Sequence, residues 1–117
     1  MKILITGASG FIGCFIVEEA LRRGFETWAG VRGSSSRSYL GDPRIHFIEL
    51  DFSSEDRLAQ ALDGHNFDYV VHAAGVTKCL TASDFMKVNY QGTVNLVNAI
   101  LKTKMPMRRF IYLSSLS

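Results

Sequence analysis

The sequence predicts an α/β fold: one doubly wound parallel sheet, helices on both faces, strands in the order 3-2-1-4-5. Three observations point there. Apolar runs about five residues long alternate with stretches of helical periodicity. The runs are nearly continuously apolar, as strands covered on both faces should be. Between consecutive runs lies enough chain for the crossover that parallel neighbours require.

The first run, KILIT (Lys2 to Thr6), ends in glycines. FIGCFIVEEALRR then places Ile12, Ile16, Val17, Ala20 and Leu21 on one helical face, with Gly24 where a C-cap belongs. ETWAGV (Glu26 to Val31) is the second strand, followed by a soft surface loop, RGSSSRSYLGDP, from Arg32 to Pro43. IHFIEL (Ile45 to Leu50) is the third strand. A short helix over Ser54 to Leu62 follows, with Ser53 as N-cap and Gly64 as stop. YVVHAA (Tyr69 to Ala74) is strand four. A longer helix from about Asp84 to Thr103 buries Phe85, Val88, Val94, Val97 and Leu101. RFIYLS (Arg109 to Ser114) is strand five, read as buried, and it leads into a serine cluster where the chain ends.

With 117 residues, 47% of them hydrophobic, the chain is one domain with enough apolar surface for a core. Its 13 Lys and Arg are interspersed with 11 Asp and Glu for a net charge of +2, so no basic tract points to nucleic acid or an anionic membrane. Cys14 and Cys79 stand far apart without a CxxC or Cys/His grouping, which argues against a disulfide scaffold or a zinc site. Only Ile3 to Ile5 are apolar near the N-terminus, too short a run for a signal peptide or a span, so a cytoplasmic location is the expectation.

TGASGFIG lies at the carboxyl end of strand one, and with the strand order above that end faces the reversal of winding, where a ligand binds. Gly7 suits the tight turn, Gly10 a close backbone approach to a ligand, and Gly13 close packing of the helix on the sheet. The helix N-terminus offers unpaired N–H groups and positive dipole to a phosphate, and Ser9 adds a hydroxyl donor. Phe11 and Ile12 complete the candidate cofactor-binding loop. The context, strand then loop then amphipathic helix then strand, reads as dinucleotide binding. Strand two is followed by Arg32 and then Arg37, with no carboxylate between. A cation there suits a 2′-phosphate where an acid would suit the ribose hydroxyls, so NADP(H) is favoured and NAD(H) is the alternative.

In chain order, TGASGFIG, VR after strand two, DF after strand three, HAAG after strand four, VNYQGT in the long helix and YLSS at strand five resemble one family. That family is the extended branch of the short-chain dehydrogenase/reductase superfamily, including the NAD-dependent epimerase/dehydratase and dihydroflavonol-reductase-like families. The resemblance implies a Rossmann-type sheet over residues 1–117 as the N-terminal part of a longer enzyme. It implies that Asp51 accepts from the adenine amino group while Phe52 packs beside the ring; alternatively Asp51 only shapes a turn. Ala73, Ala74 and Gly75 would line the cofactor near the nicotinamide ribose, with Thr77 just beyond. His72 reads as a packed strand residue, and Asn89 would fix the backbone around the active site. Ser115 falls at the catalytic Ser/Thr position, with Ser114 beside the cofactor. A small-molecule substrate, a nucleotide sugar or another hydroxyl/carbonyl compound, is implied, and a homodimer by analogy.

The family's Tyr-x-x-x-Lys is the departure. Residues four beyond Tyr39, Tyr69, Tyr90 and Tyr112 are Pro43, Ala73, Val94 and Leu116. The expectation is therefore an NADP(H)-binding portion that stops at the edge of the active site and is inactive alone, within an oxidoreductase, epimerase or dehydratase. The alternative is a non-catalytic NADP(H)-binding or redox-sensing module.

Overall fold

The computed structural model describes residues 1–7, 11–31, 41–73, 82–103 and 107–112, with the side chains of 11–12 and 82–90 outside that description. The strands are β1 (Lys2–Thr6), β2 (Glu26–Val31), β3 (His46–Glu49), β4 (Tyr69–His72) and β5 (Arg109–Tyr112). The helices are α1 (Phe11–Arg22), α2 (Glu55–Leu62) and α3 (Ala82–Thr103). All strand pairs are parallel, and the order is β3-β2-β1-β4-β5, as the sequence predicts.

Strand periodicity of two divides the core into layers. On β1, Ile3 and Ile5 join Val17, Ala20 and Leu21 of α1, while Leu4 joins Leu58 and Leu62 of α2 and Leu96, Ala99 and Ile100 of α3. The central strand is thus covered on both faces, which fits its uninterrupted apolar run. Gly24 and Gly64 follow α1 and α2 with φ of +82° and +81°.

Gly30 sits in β2 opposite Thr6. A Cβ there would lie 2.7 Å from Leu50 Cδ1 and 3.4 Å from the Ile5 carbonyl oxygen, so the sheet and the chain after β3 close over a residue without a side chain. Leu50 is only 2% exposed and has little room to retreat. Gly30→Val is expected to lower unfolding free energy by about 1–3 kcal/mol in urea titration. A change within about 0.5 kcal/mol would mean that Leu50 repacks freely.

Four expectations are corrected. The N-cap of α2 is Ser54, whose hydroxyl accepts from the Arg57 N–H at 3.2 Å, and the helix begins at Glu55. Ser53 instead donates its N–H to Asp51 Oδ1 at 3.0 Å, so the turn uses the first serine and the helix the second. On α3 the buried stripe is Asn95, Leu96, Ala99 and Ile100; Val94 and Val97 are half-buried and Leu101 is 69% exposed. Two stripes fit the same helical period, and packing on α2 and the sheet selects the one containing Asn95. Phe85 and Val88 lie outside the described side chains. Strand three is His46–Glu49, shorter than expected. In β5, Ile111 and Tyr112 are 39% and 46% exposed rather than buried; among the described residues the strand is at the sheet edge, paired with β4.

Candidate cofactor-binding site

The carboxyl ends of β1, β3 and β4 bring together Thr6 and Gly7, Asp51 and Phe52, and His72 and Ala73. Gly7 has φ of +67°, a conformation that L side chains rarely adopt, and it turns the chain off β1 ahead of α1. Gly13 is buried within α1. Ala73 donates its N–H to the Thr6 carbonyl at 3.3 Å, extending the β1–β4 ladder one residue past His72. This junction is the reversal point of the winding, since β2 lies on one side of β1 and β4 on the other.

His72 is 2% exposed and spans three elements. Its Nδ1 lies 2.7 Å from Thr6 Oγ1 and its Nε2 3.1 Å from Thr93 Oγ1, joining β1 to α3 through β4. Phe52 and Tyr112 flank it, each with its ring centroid 5.5 Å away. Burial pushes its pKa down to about 4, so the imidazole is neutral at physiological pH. The residue is a packed strand histidine, as the sequence reading has it.

Asp51 shapes the turn after β3. Its Oδ1 receives both the N–H and the hydroxyl of Ser53, and its Oδ2 receives Arg57 Nη1 at 3.2 Å. Those bonds, led by the Ser53 hydroxyl, hold the carboxyl below its ordinary value, so it is an acceptor only. A carboxylate has about four acceptor positions, and these three donors leave room for a further one. The turn role and a ligand role are therefore compatible. Phe52 is tied to α3: Asn95 Nδ2 donates to its carbonyl at 2.8 Å.

Gly7, Gly13, Asp51, Phe52 and Ala73 thus gather at one end of the sheet. Phe11 and Ile12 form the start of α1 and Asn89 lies in α3, by backbone only. Ser9, Gly10, Arg32, Arg37, Ala74, Gly75, Thr77, Ser114 and Ser115 lie outside the described residues. The sequence reading missed Thr6, Arg57, Gln91, Thr93 and Asn95. Asn95 carried a signal in retrospect, as a polar residue one turn before Ala99 on an apolar stripe. The residues present fit a dinucleotide: a glycine turn at positive φ, a small side chain at the reversal point, and an ionised carboxylate at the end of β3. Among the described residues no helix is long and apolar enough to cross a membrane.

The sheet order, the helices on both faces and the glycine turn from the central strand define a Rossmann-like α/β domain. Within that class, the chain belongs to the NAD-dependent epimerase/dehydratase family, whose model matches residues 3–117. It is 32% identical to a UDP-glucose 4-epimerase of Klebsiella pneumoniae, covering 98% of this chain and 89% of that one. A solved structure of the Bordetella bronchiseptica enzyme WbmH in complex with NAD⁺ is 30% identical with a TM-score of 0.76, covering 95% of this chain and 38% of that one. Vestitone reductase from alfalfa (Medicago sativa) is 26% identical with a TM-score of 0.74, covering 98% and 36%. The chain spans about a third to two fifths of the length of several other curated relatives, which include dehydrogenases.

Proposed function

We propose that residues 1–117 form the NADP(H)-binding part of an oxidoreductase, epimerase or dehydratase that acts by hydride transfer on a nucleotide sugar or another hydroxyl/carbonyl compound. The observation that carries this reading is the Gly7 turn, at positive φ, where the β1/β4 reversal meets the start of α1. Backbone N–H groups there suit the pyrophosphate. Asp51 suits the adenine amino group, and Ala73 leaves space for the nicotinamide ribose. The nicotinamide, when bound, supplies or accepts the hydride.

The preference for NADP(H) rests on Arg32 and Arg37 following β2 in place of a carboxylate. Ser115 donates its hydroxyl to the substrate oxygen in this reading. A tyrosine and lysine spaced as Tyr-x-x-x-Lys, outside residues 1–117, complete the proton transfer, a contribution typically of about 10²–10⁴ in rate.

Calorimetric titration with NADPH and NADH tests this. NADPH is expected to bind about 10- to 100-fold more tightly, since a charge-assisted bond to phosphate is worth roughly 1.5–3 kcal/mol. Arg32→Ala is expected to abolish the preference. Equal affinities would sink the NADP(H) preference, and no binding of either nucleotide by a folded chain would sink the reading as a whole.

A further inference from the structure

The turn after β3 is shaped locally but placed from a distance. The Ser53 and Arg57 contacts to Asp51 lie within the turn and α2, so they set its curvature and not its position over the sheet. Before Asp51 the chain is held to β2 by the Leu50 N–H, which donates to the Val31 carbonyl at 2.9 Å; past it, α3 supplies a polar tie, where Asn95 Nδ2 donates to the Phe52 carbonyl at 2.8 Å. Asn95 is 8% exposed, and its amide is itself oriented: Gln91 Nε2, one helical turn earlier, donates to Asn95 Oδ1 at 3.0 Å. A Cβ at Gly92, between the two, would stand 3.5 Å from Phe52 Cβ, so the helix passes beneath the turn at contact distance. A rigid helix thus holds, through one buried amide, the backbone between Phe52 and the Asp51 carboxylate.

We propose that Asn95, oriented by Gln91, is a positioning residue that sets the Asp51–Phe52 turn to read the amino group of the cofactor's adenine. The assignment rests on the cofactor reading above. With the Asn95 donor gone, the Phe52 carbonyl must find another partner, and in a low-dielectric setting it moves to find one. Asp51 moves with it, since that carbonyl shares its peptide unit with the Ser53 N–H, which donates to Asp51 Oδ1 at 3.0 Å. The pyrophosphate end of the cleft, built on β1 and α1, does not depend on this tie.

That separation supplies the test. NADPH and its deamino analogue, nicotinamide hypoxanthine dinucleotide phosphate, differ where the adenine amino group is replaced by a carbonyl oxygen. A carboxylate placed to accept from the amino group favours NADPH, by about tenfold for one charge-assisted bond. Both affinities are measured by calorimetry for the unaltered protein, Asn95→Leu and Gln91→Ala, with thermal melts alongside. The ratio is expected near tenfold in the unaltered protein, near one in Asn95→Leu and reduced in Gln91→Ala. A merely structural loss would weaken both nucleotides together and leave the ratio intact.

A tenfold ratio that persists in Asn95→Leu overturns the assignment, as does a ratio near one in the unaltered protein. If Asn95→Leu does not fold, Gln91→Ala decides, because Gln91 is exposed and its replacement leaves the core unchanged. An unaltered ratio there then overturns the assignment. If the unaltered protein binds neither nucleotide, the cofactor reading fails and takes the assignment with it, an outcome distinct from all the others.

Discussion

Between pH 6.5 and 4 the protein is expected to lose about 3 kcal/mol of folding stability through His72 alone. In the unfolded chain the imidazole titrates near 6.5, and in the folded protein burial holds it neutral down to about 4. Below pH 6.5 the unfolded state therefore binds a proton that the folded state resists. Stability is full above that pH, falls through the window, and levels off once both states are protonated. Hydrogen bonding does not impose this, because the Thr6 and Thr93 hydroxyls can accept from an imidazolium as readily as they serve the neutral ring. Desolvation does, among Phe52, Phe110 and Tyr112.

The exposed carboxylates act in a lower window. Glu19 and Asp42 are held at about 2 by hydrogen bonds from Arg22 and Arg23 and from Arg44, so what they contribute is lost only below 4.5 and 3.8 respectively. His65, lowered by burial and by Lys2, adds a slope of the same sign as His72. Urea titrations at several pH values between 7.5 and 4.2 measure the slope. In His72→Asn, which retains a donor and an acceptor but does not titrate, only the His65 part should survive above pH 4.5, where the lowered glutamates have yet to contribute. A full slope in that variant would place the acid sensitivity elsewhere.

Phe67→Ala is expected to destabilise the fold by about 3–5 kcal/mol. Phe67 is 0% exposed although it lies in the connection between α2 and β4. Asn66, at φ of +52°, turns the chain so that the next side chain enters the core. There the ring joins Leu4, Leu58, Leu62 and Val70, takes the edge of Trp28 at a centroid distance of 5.9 Å, and lies parallel to His65 at 5.4 Å. Lys2 Nζ stands 5.0 Å from its centroid. The next residue, Asp68, donates its N–H to the Lys2 carbonyl at 2.8 Å and accepts the Lys2 N–H at 2.8 Å. Removing the ring thus leaves a cavity beside the contact that sets the β1–β4 register on which the cleft depends. Phe67→Leu, which keeps most of the volume, should cost less than half as much. A loss below about 1 kcal/mol for Phe67→Ala would show that α2 and β4 close over the gap.

Strand positions, the parallel arrangement and the strand order were legible in the sequence. Short apolar runs, glycines at their ends and crossover-length connections leave few other ways to bury five such runs in one layer. Gly7 was legible for the same reason, since a chain leaving a buried strand for a helix within a few residues needs a left-handed turn. Periodicity alone did not choose between the two stripes of α3, and it favoured Leu101, because Asn95 looks costly to bury until its partners are known. Nor did it distinguish Ser53 from Ser54 as the cap, two adjacent residues of one chemistry whose roles depend on which way the turn after β3 runs. The exposed β5 was missed because hydropathy records what a strand can bury, not whether a neighbour lies beside it.

From the sequence alone came the fold class, the glycine turn and the family to which the motifs point. These depend on local pattern, and local pattern survives without knowledge of neighbours. Only the tertiary structure decided that His72 joins Thr6 to Thr93 and that Asn95 holds the Phe52 carbonyl. Each bond links residues 21 to 66 positions apart in the chain, and such partners have no signature until the sheet and α3 bring them within 3.1 Å.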